Sequence, residues 1–114
     1  MLNVQKDQTI VIVGSRYNPQ LGTYLTGPYI GKVKRLNKLS FSVDLGKDGD
    51  YIPTTFDFGG WTRHTTRCIY GAMSYRAYTV EDAIDLLSKE IGRYDPQSFK
   101  AVLLRKAIDK LRAL

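Results

Sequence analysis

Leu39-Ser40-Phe41-Ser42-Val43-Asp44-Leu45 alternates apolar and polar side chains without a break. Period two places Leu39, Phe41, Val43 and Leu45 on one face and Ser40, Ser42 and Asp44 on the other, as in a strand with one dry and one wet side. Upstream, Tyr29 to Leu36 is a second β-prone run, and only Asn37-Lys38 separates the two. Two such runs across a two-residue polar break predict an antiparallel hairpin. Further upstream, Ile10-Val11-Ile12-Val13 is apolar on both faces, so the strand Thr9 to Gly14 is expected to be covered on both sides. Between these strands, Asn18-Pro19, Gly22 and Gly27-Pro28 mark Ser15 to Pro28 as a long connection.

Downstream of the hairpin, Gly46 to Asp50 reads as a turn, Tyr51 to Phe58 as a fourth strand entered at Pro53, and Trp61 to Tyr70 as a fifth after Gly59-Gly60. Five short strands in sequence cannot bury two faces as a flat sheet. A small, strongly twisted, half-open antiparallel barrel is therefore expected.

From Thr79 the period changes to helical. Val80, Ala83, Ile84, Leu87 and Ile91 form one stripe, with Thr79 as N-cap, Asp82 in the capping-box position and Gly92 as the expected left-handed C-cap. Asp95-Pro96 predicts a second helix start with Asp95 as its cap. In that helix Phe99, Val102, Leu103, Leu104, Ala107, Ile108, Leu111 and Leu114 cover more than half of the circumference, so it needs more than one partner. The two helices should fold back as a hairpin, the surplus apolar face lying on the barrel mouth or forming a homodimer through the last helix. Strands first and helices last give an α+β class: one domain over 1–114, a β-barrel part over 1–78 and two C-terminal helices over 79–114.

The 114 residues carry 17 Lys+Arg against 11 Asp+Glu, a formal charge of +6, with one His and one Cys. A single cysteine excludes an internal disulfide. The longest aliphatic run is far short of the roughly 20 residues that span a bilayer, and the first residues lack a signal-peptide layout, so a soluble cytoplasmic protein without a membrane partner is expected. The charge is clustered. Residues 32–38 hold Lys32, Lys34, Arg35 and Lys38 with no acid, residues 79–91 are acidic, and residues 92–114 carry six bases against two acids. Clustered bases suit a polyanion, because neutralising phosphates releases condensed counterions.

Asp7 to Gly14, then Gly31-Lys32-Val33-Lys34-Arg35-Leu36, then Ser40 to Val43 resemble the KOW-type motif of SH3-like small barrels. In that motif a polar-led strand is followed by a Gly-x-Val strand and by one that returns side chains to the core. The stretch from Ser15 to Ile30 makes the connection between Gly14 and Gly31 longer than the motif's usual loop. The helix entry Tyr78-Thr79-Val80-Glu81-Asp82 is similar to that of small bacteriophage barrel proteins, which implies a viral protein acting in host cytoplasm. SH3-like barrels bind proteins as well as nucleic acids, so the fold does not decide the function.

The leading functional expectation is nucleic-acid binding with little sequence choice, through Arg16, Lys32, Lys34, Arg35, Lys38, Arg63 and Arg67, with Tyr17, Tyr29 and Trp61 stacking on bases. His64 and Arg76 join the second basic group. Lys32 and Lys34 alternate onto one strand face, which leaves Arg35 on the other, able to reach the rim beside Lys38. For any single aromatic ring, packing in the barrel is the competing reading. The alternative function is a phage-type inhibitor or adaptor that binds a host protein through Tyr17 to Tyr29 or the last helix, since Tyr and Arg dominate interface hot spots. A purely structural subunit is a third.

No catalytic constellation is present. His64 is the sole imidazole, Ser15, Ser40, Ser42 and Ser74 have no base nearby in sequence, and Gly14-Ser15-Arg16 lacks the spacing and lysine of a phosphate loop. His64 and Cys68 could offer two zinc ligands but have no second pair, and Cys68 reads as a small apolar filler. No enzyme activity, metal or cofactor is expected.

Overall fold

The strand at the centre of the sequence argument lies in the wall of a barrel. The computed structural model describes residues 2–20, 22–62 and 74–114, with the side chains of 17, 18, 22 and 23 excepted. In chain order the elements are β1 (Thr9–Asn18), β2 (Gly22–Leu36), β3 (Ser40–Asp44), β4 (Thr55–Asp57), β5 (Ser74–Thr79), α1 (Val80–Ile91) and α2 (Phe99–Arg112). They divide into two compact units, Met1–Tyr78 and Thr79–Leu114, and the boundary falls just before Thr79, which ends β5 and caps α1.

In the first unit the strand order is β4-β3-β2-β1-β5, with antiparallel pairing along β1–β2, β2–β3 and β3–β4. Two isolated bridges, Phe56 with Thr62 and Trp61 with Arg76, carry the pairing from β4 across to β5. The result is a nearly closed five-stranded antiparallel barrel, compatible with an SH3-like fold. Its core is Ile10, Ile12, Val33, Phe41, Val43, Leu45, Ile52, Phe56 and Ala77, all buried. Phe41 stacks obliquely on Phe56 and Phe58 at 6.0 and 5.7 Å between ring centroids, a tilted contact suited to aromatic quadrupoles. As the unbroken aliphatic run implied, Val11 and Val13 on the opposite side of β1 are buried too.

Gly31 is the tightest position in this wall. A Cβ there would overlap the Asp44 carbonyl oxygen and lie 2.8 Å from side-chain carbons of Val43 and Leu45, so only hydrogen lets β2 and β3 approach.

Several expectations need correction. Ser15 to Pro28 is not a loop: β1 runs on to Asn18, β2 begins at Gly22, and the two pair from Asn18 with Gly22 back to Gly14 with Thr26. The turn-forming Gly27-Pro28 instead makes an irregularity, since both residues lie opposite the single residue Val13. The predicted fourth strand shrinks to Thr55–Asp57 because Gly46–Asp50 forms a 3-10 helix, and the amides of Tyr51 and Ile52 both donate to the Asp48 carbonyl. Leu39 belongs to the turn and is exposed, whereas Ser40 on the supposed wet face is buried. The predicted strand Trp61 to Tyr70 is seen only in its first two residues, as bridges; the rest lies outside the described residues, and the fifth strand is Ser74–Thr79.

In the second unit α1 is capped as expected, with the Thr79 hydroxyl accepting from the Asp82 amide at 3.2 Å. Gly92 ends the helix in a right-handed conformation, φ −65°, and not in the left-handed one. Asp95 is not the second cap. Its carboxylate accepts from the Gln97 amide at 2.9 Å, which closes a turn of its own, and Ser98 then caps α2 by accepting from the Ala101 amide at 3.2 Å. The two helices pack on each other as a hairpin. Among the described residues no helix is long and apolar enough to cross a membrane.

Candidate nucleic-acid interface

The cations of residues 32–38 are set by the pairing of β2 with β3. Lys32 lies opposite Asp44, Val33 opposite Val43, Arg35 opposite Ser42 and Leu36 opposite Phe41. One residue of β2, Lys34, has no counterpart, which is the mark of a β-bulge. Directly opposed residues share a sheet face. Val33 and Leu36 therefore belong with Val43 and Phe41 on the core side, and Lys32 and Arg35 belong together on the outer side.

This reverses the expectation that strict alternation would send Arg35 to the face opposite Lys32. The extra residue resets the frame, so Arg35 joins Lys32 on the outer wall. Lys32, Lys34, Arg35 and Lys38 are all exposed, and none of them is ion-paired with a described residue. Asp44 is the nearest carboxylate by register, and its Oδ1 accepts from the Gly46 amide at 3.0 Å. Leu36 shares the core-side face by register but lies at the open end of the hairpin and is exposed there, as is Leu39 in the turn.

The other candidates divide. Arg16 is exposed on β1 opposite Tyr24, whereas Lys32 faces Thr9 at the start of that strand. Seven strand residues separate the two levels, about 23 Å at roughly 3.3 Å per residue, so Arg16 is not part of the cluster. The Tyr17 backbone pairs with Thr23, but its side chain lies outside the description. Tyr29 is half-buried and packs against the barrel core, so the packing reading holds for this ring. Arg63, His64, Arg67 and Cys68 lie outside the described residues.

Trp61 is 52% exposed. The Arg76 guanidinium lies 4.5 Å from its ring centroid and 5.5 Å from that of Tyr78, a cation held by two aromatic faces. Arg76 also donates from one terminal nitrogen to the Gly59 carbonyl at 3.4 Å, while its Nε is buried without a hydrogen-bond partner among the described residues. Tyr78 went unread as a member of this group. The signal was there: residues 76 and 78 are two apart on one strand and so share a face.

Among the described residues no group of three or more His, Cys, Asp or Glu side chains could hold a metal ion. The chain matches no protein family, no curated protein and no solved structure.

Proposed function

We propose that the protein binds nucleic acid through phosphate contacts made by Lys32, Lys34, Arg35 and Lys38, with little sequence choice. The observation that carries this reading is the bulge that gathers Lys32 and Arg35 on one outer wall, beside two further exposed cations and without ion pairs among the described residues. A strip of charge on a sheet wall suits a backbone of regularly spaced phosphates and reads no base edges. The resemblance to KOW-type barrels supports the same reading, as does the need for glycine at position 31 of the Gly-x-Val strand. Within it, the chain is a phage-type protein acting in host cytoplasm.

The test is a gel-shift series on DNA and RNA at two salt concentrations. Four phosphate contacts give a log–log salt slope of about −3.6 on duplex DNA, so a fourfold rise in salt should weaken binding by roughly a hundred-fold. Replacing the four cations together with Gln should remove binding at the higher salt and flatten the slope; retention of both would refute the proposal.

One observation favours a second reading, that of a protein-binding adaptor or a homodimer. On α2, Phe99 is 76% exposed and Leu103, one turn further on, is exposed with it. Exposed large apolar side chains in one region mark contact surfaces. A mass in solution of twice 12.9 kDa, reduced to one copy by Phe99→Ser with Leu103→Ser, would support the homodimer; a monomeric wild-type chain would reject it.

A further inference from the structure

Trp61 stands where a soluble protein gains nothing from an exposed indole, yet the backbone holds it there from several sides. The Asp57 carboxylate accepts from the amides of both Gly59 and Trp61, at 2.9 and 3.0 Å. The Gly60 amide donates to the Asp57 carbonyl at 3.0 Å, and the Gly60 carbonyl accepts from Ala77 at 2.7 Å. Gly60 itself has φ +90°, and a Cβ there would come within 2.6 Å of the Ala77 carbonyl oxygen. The Asp57 amide donates to the Trp61 carbonyl at 2.8 Å, and Trp61 bridges to Arg76. The ring is thus set by a built turn, and Arg76, gripped also by Tyr78, backs it.

The register puts this ring on the outer wall. Phe56 faces the core and is paired with Thr62, so Trp61 next to it faces out, and Arg76 across the bridge shares that face. Arg35 faces out three strands away, opposite Ser42 and so level with Thr55, whereas the Phe56–Thr62 bridge sets Trp61 level with Asp57, two residues further along. At roughly 4.8 Å per strand this is about 15 Å along the wall.

We infer that Trp61, backed by Arg76, is a stacking seat for an unpaired nucleobase, and that the protein therefore takes single-stranded nucleic acid, with its phosphates running from this ring toward Arg35. The inference rests on the phosphate-binding reading and adds the class of strand. A base within a duplex already has both faces covered by its neighbours, so an indole on a convex barrel wall can reach only a base that is out of the stack. A guanidinium behind the indole holds the ring in place before the strand arrives, which lowers the ordering cost of stacking. Asp57 and Asp44 are the described carboxylates beside this path, and both accept backbone amide hydrogens.

Trp61 is the sole tryptophan of the chain, so its emission reports the seat directly. The experiment titrates the full chain with short oligothymidylate, with a duplex of equal length and with inorganic polyphosphate, following fluorescence and affinity together. Oligothymidylate should quench the emission and bind roughly tenfold tighter than the duplex, while polyphosphate binds without quenching. Trp61→Ala should weaken oligothymidylate by roughly tenfold and leave polyphosphate unchanged, and Trp61→Phe, which keeps a ring in the turn, should retain most of the single-strand preference. Single-strand binding without quenching, or a Trp61→Ala chain that still prefers the single strand, would overturn the stacking seat while leaving the phosphate reading intact. Failure of all three probes to bind at low salt would overturn both.

Discussion

At Gly31 the absence of a side chain is a structural requirement, since the β3 backbone occupies the space a Cβ would need. Gly31→Ala must push β2 and β3 apart or break their pairing, and overpacking of this kind costs about 1–3 kcal/mol. Thermal unfolding should show this as a drop of several degrees in Tm, whereas Gly46→Ala, with open space around the glycine, should lose only what its φ of +61° imposes. Lys34 is the other decisive residue. Composition and position made the cationic cluster legible, but the bulge that turns Arg35 outward was not, because a bulge is a mismatch between two strands and neither strand alone records it. Trp61 and the Gly59-Gly60 turn before it were legible, and the strand that fastens the turn was not, since it depends on Ala77 arriving from far along the chain.

Among the elements, the legible ones announce themselves locally. The alternation through Phe41, Val43 and Leu45 and the Thr79 cap of α1 needed no tertiary information. Ser15 to Pro28 was misread because its glycines and prolines, which usually end strands, here sit within a long hairpin and at its irregular register. Asp95 and Ser98 competed for one cap, and the carboxylate was already engaged by Gln97. Ser98→Ala should therefore destabilise α2 by about 1 kcal/mol in denaturant melts, the usual cost of a lost N-cap.

The link between the helices carries its own pH dependence. Glu90 is buried, accepting from the Tyr94 hydroxyl at 3.2 Å, with Arg93 at 3.6 Å from its other oxygen. Burial, with the Glu90 charge and hydrogen bond behind it, raises the Tyr94 pKa, and Arg93 opposes this weakly. The neutral phenol is thus favoured in the folded chain. Its contribution is complete below the unfolded value near 10 and is lost as pH rises through the higher folded value. Stability measured from pH 9 upward should fall more steeply in the wild type than in Tyr94→Phe; parallel curves would show that Tyr94 makes no such contribution.

For the molecule as a whole, charge is distributed by unit. The barrel carries its cluster of cations at the β2–β3 hairpin, whereas the helical unit pairs an acidic α1 with a basic α2. Under the proposed function, long-range attraction to a polyanion would depend on both units, and contact on the barrel unit alone. Reversing Lys106 and Lys110 on α2 to Glu should slow association at low salt and change it little near physiological salt, where the Debye length is about 8 Å. Stopped-flow association rates at the two ionic strengths check this; an equal loss at both would place α2 in the contact itself.

The strand order sets β5 (Ser74–Thr79) beside β1 (Thr9–Asn18), so one flank of the first strand is covered only by the last one. A ribosome delivers Thr9 to Gly14 long before that partner exists. Throughout the interval Ile10 to Val13 is a flank open to any extended polypeptide, the kind of short β-branched segment that seeds aggregation. Production of this chain should accordingly be governed by how fast its final strand emerges, and slow codons between residues 14 and 74 would lower soluble yield without altering a single amino acid.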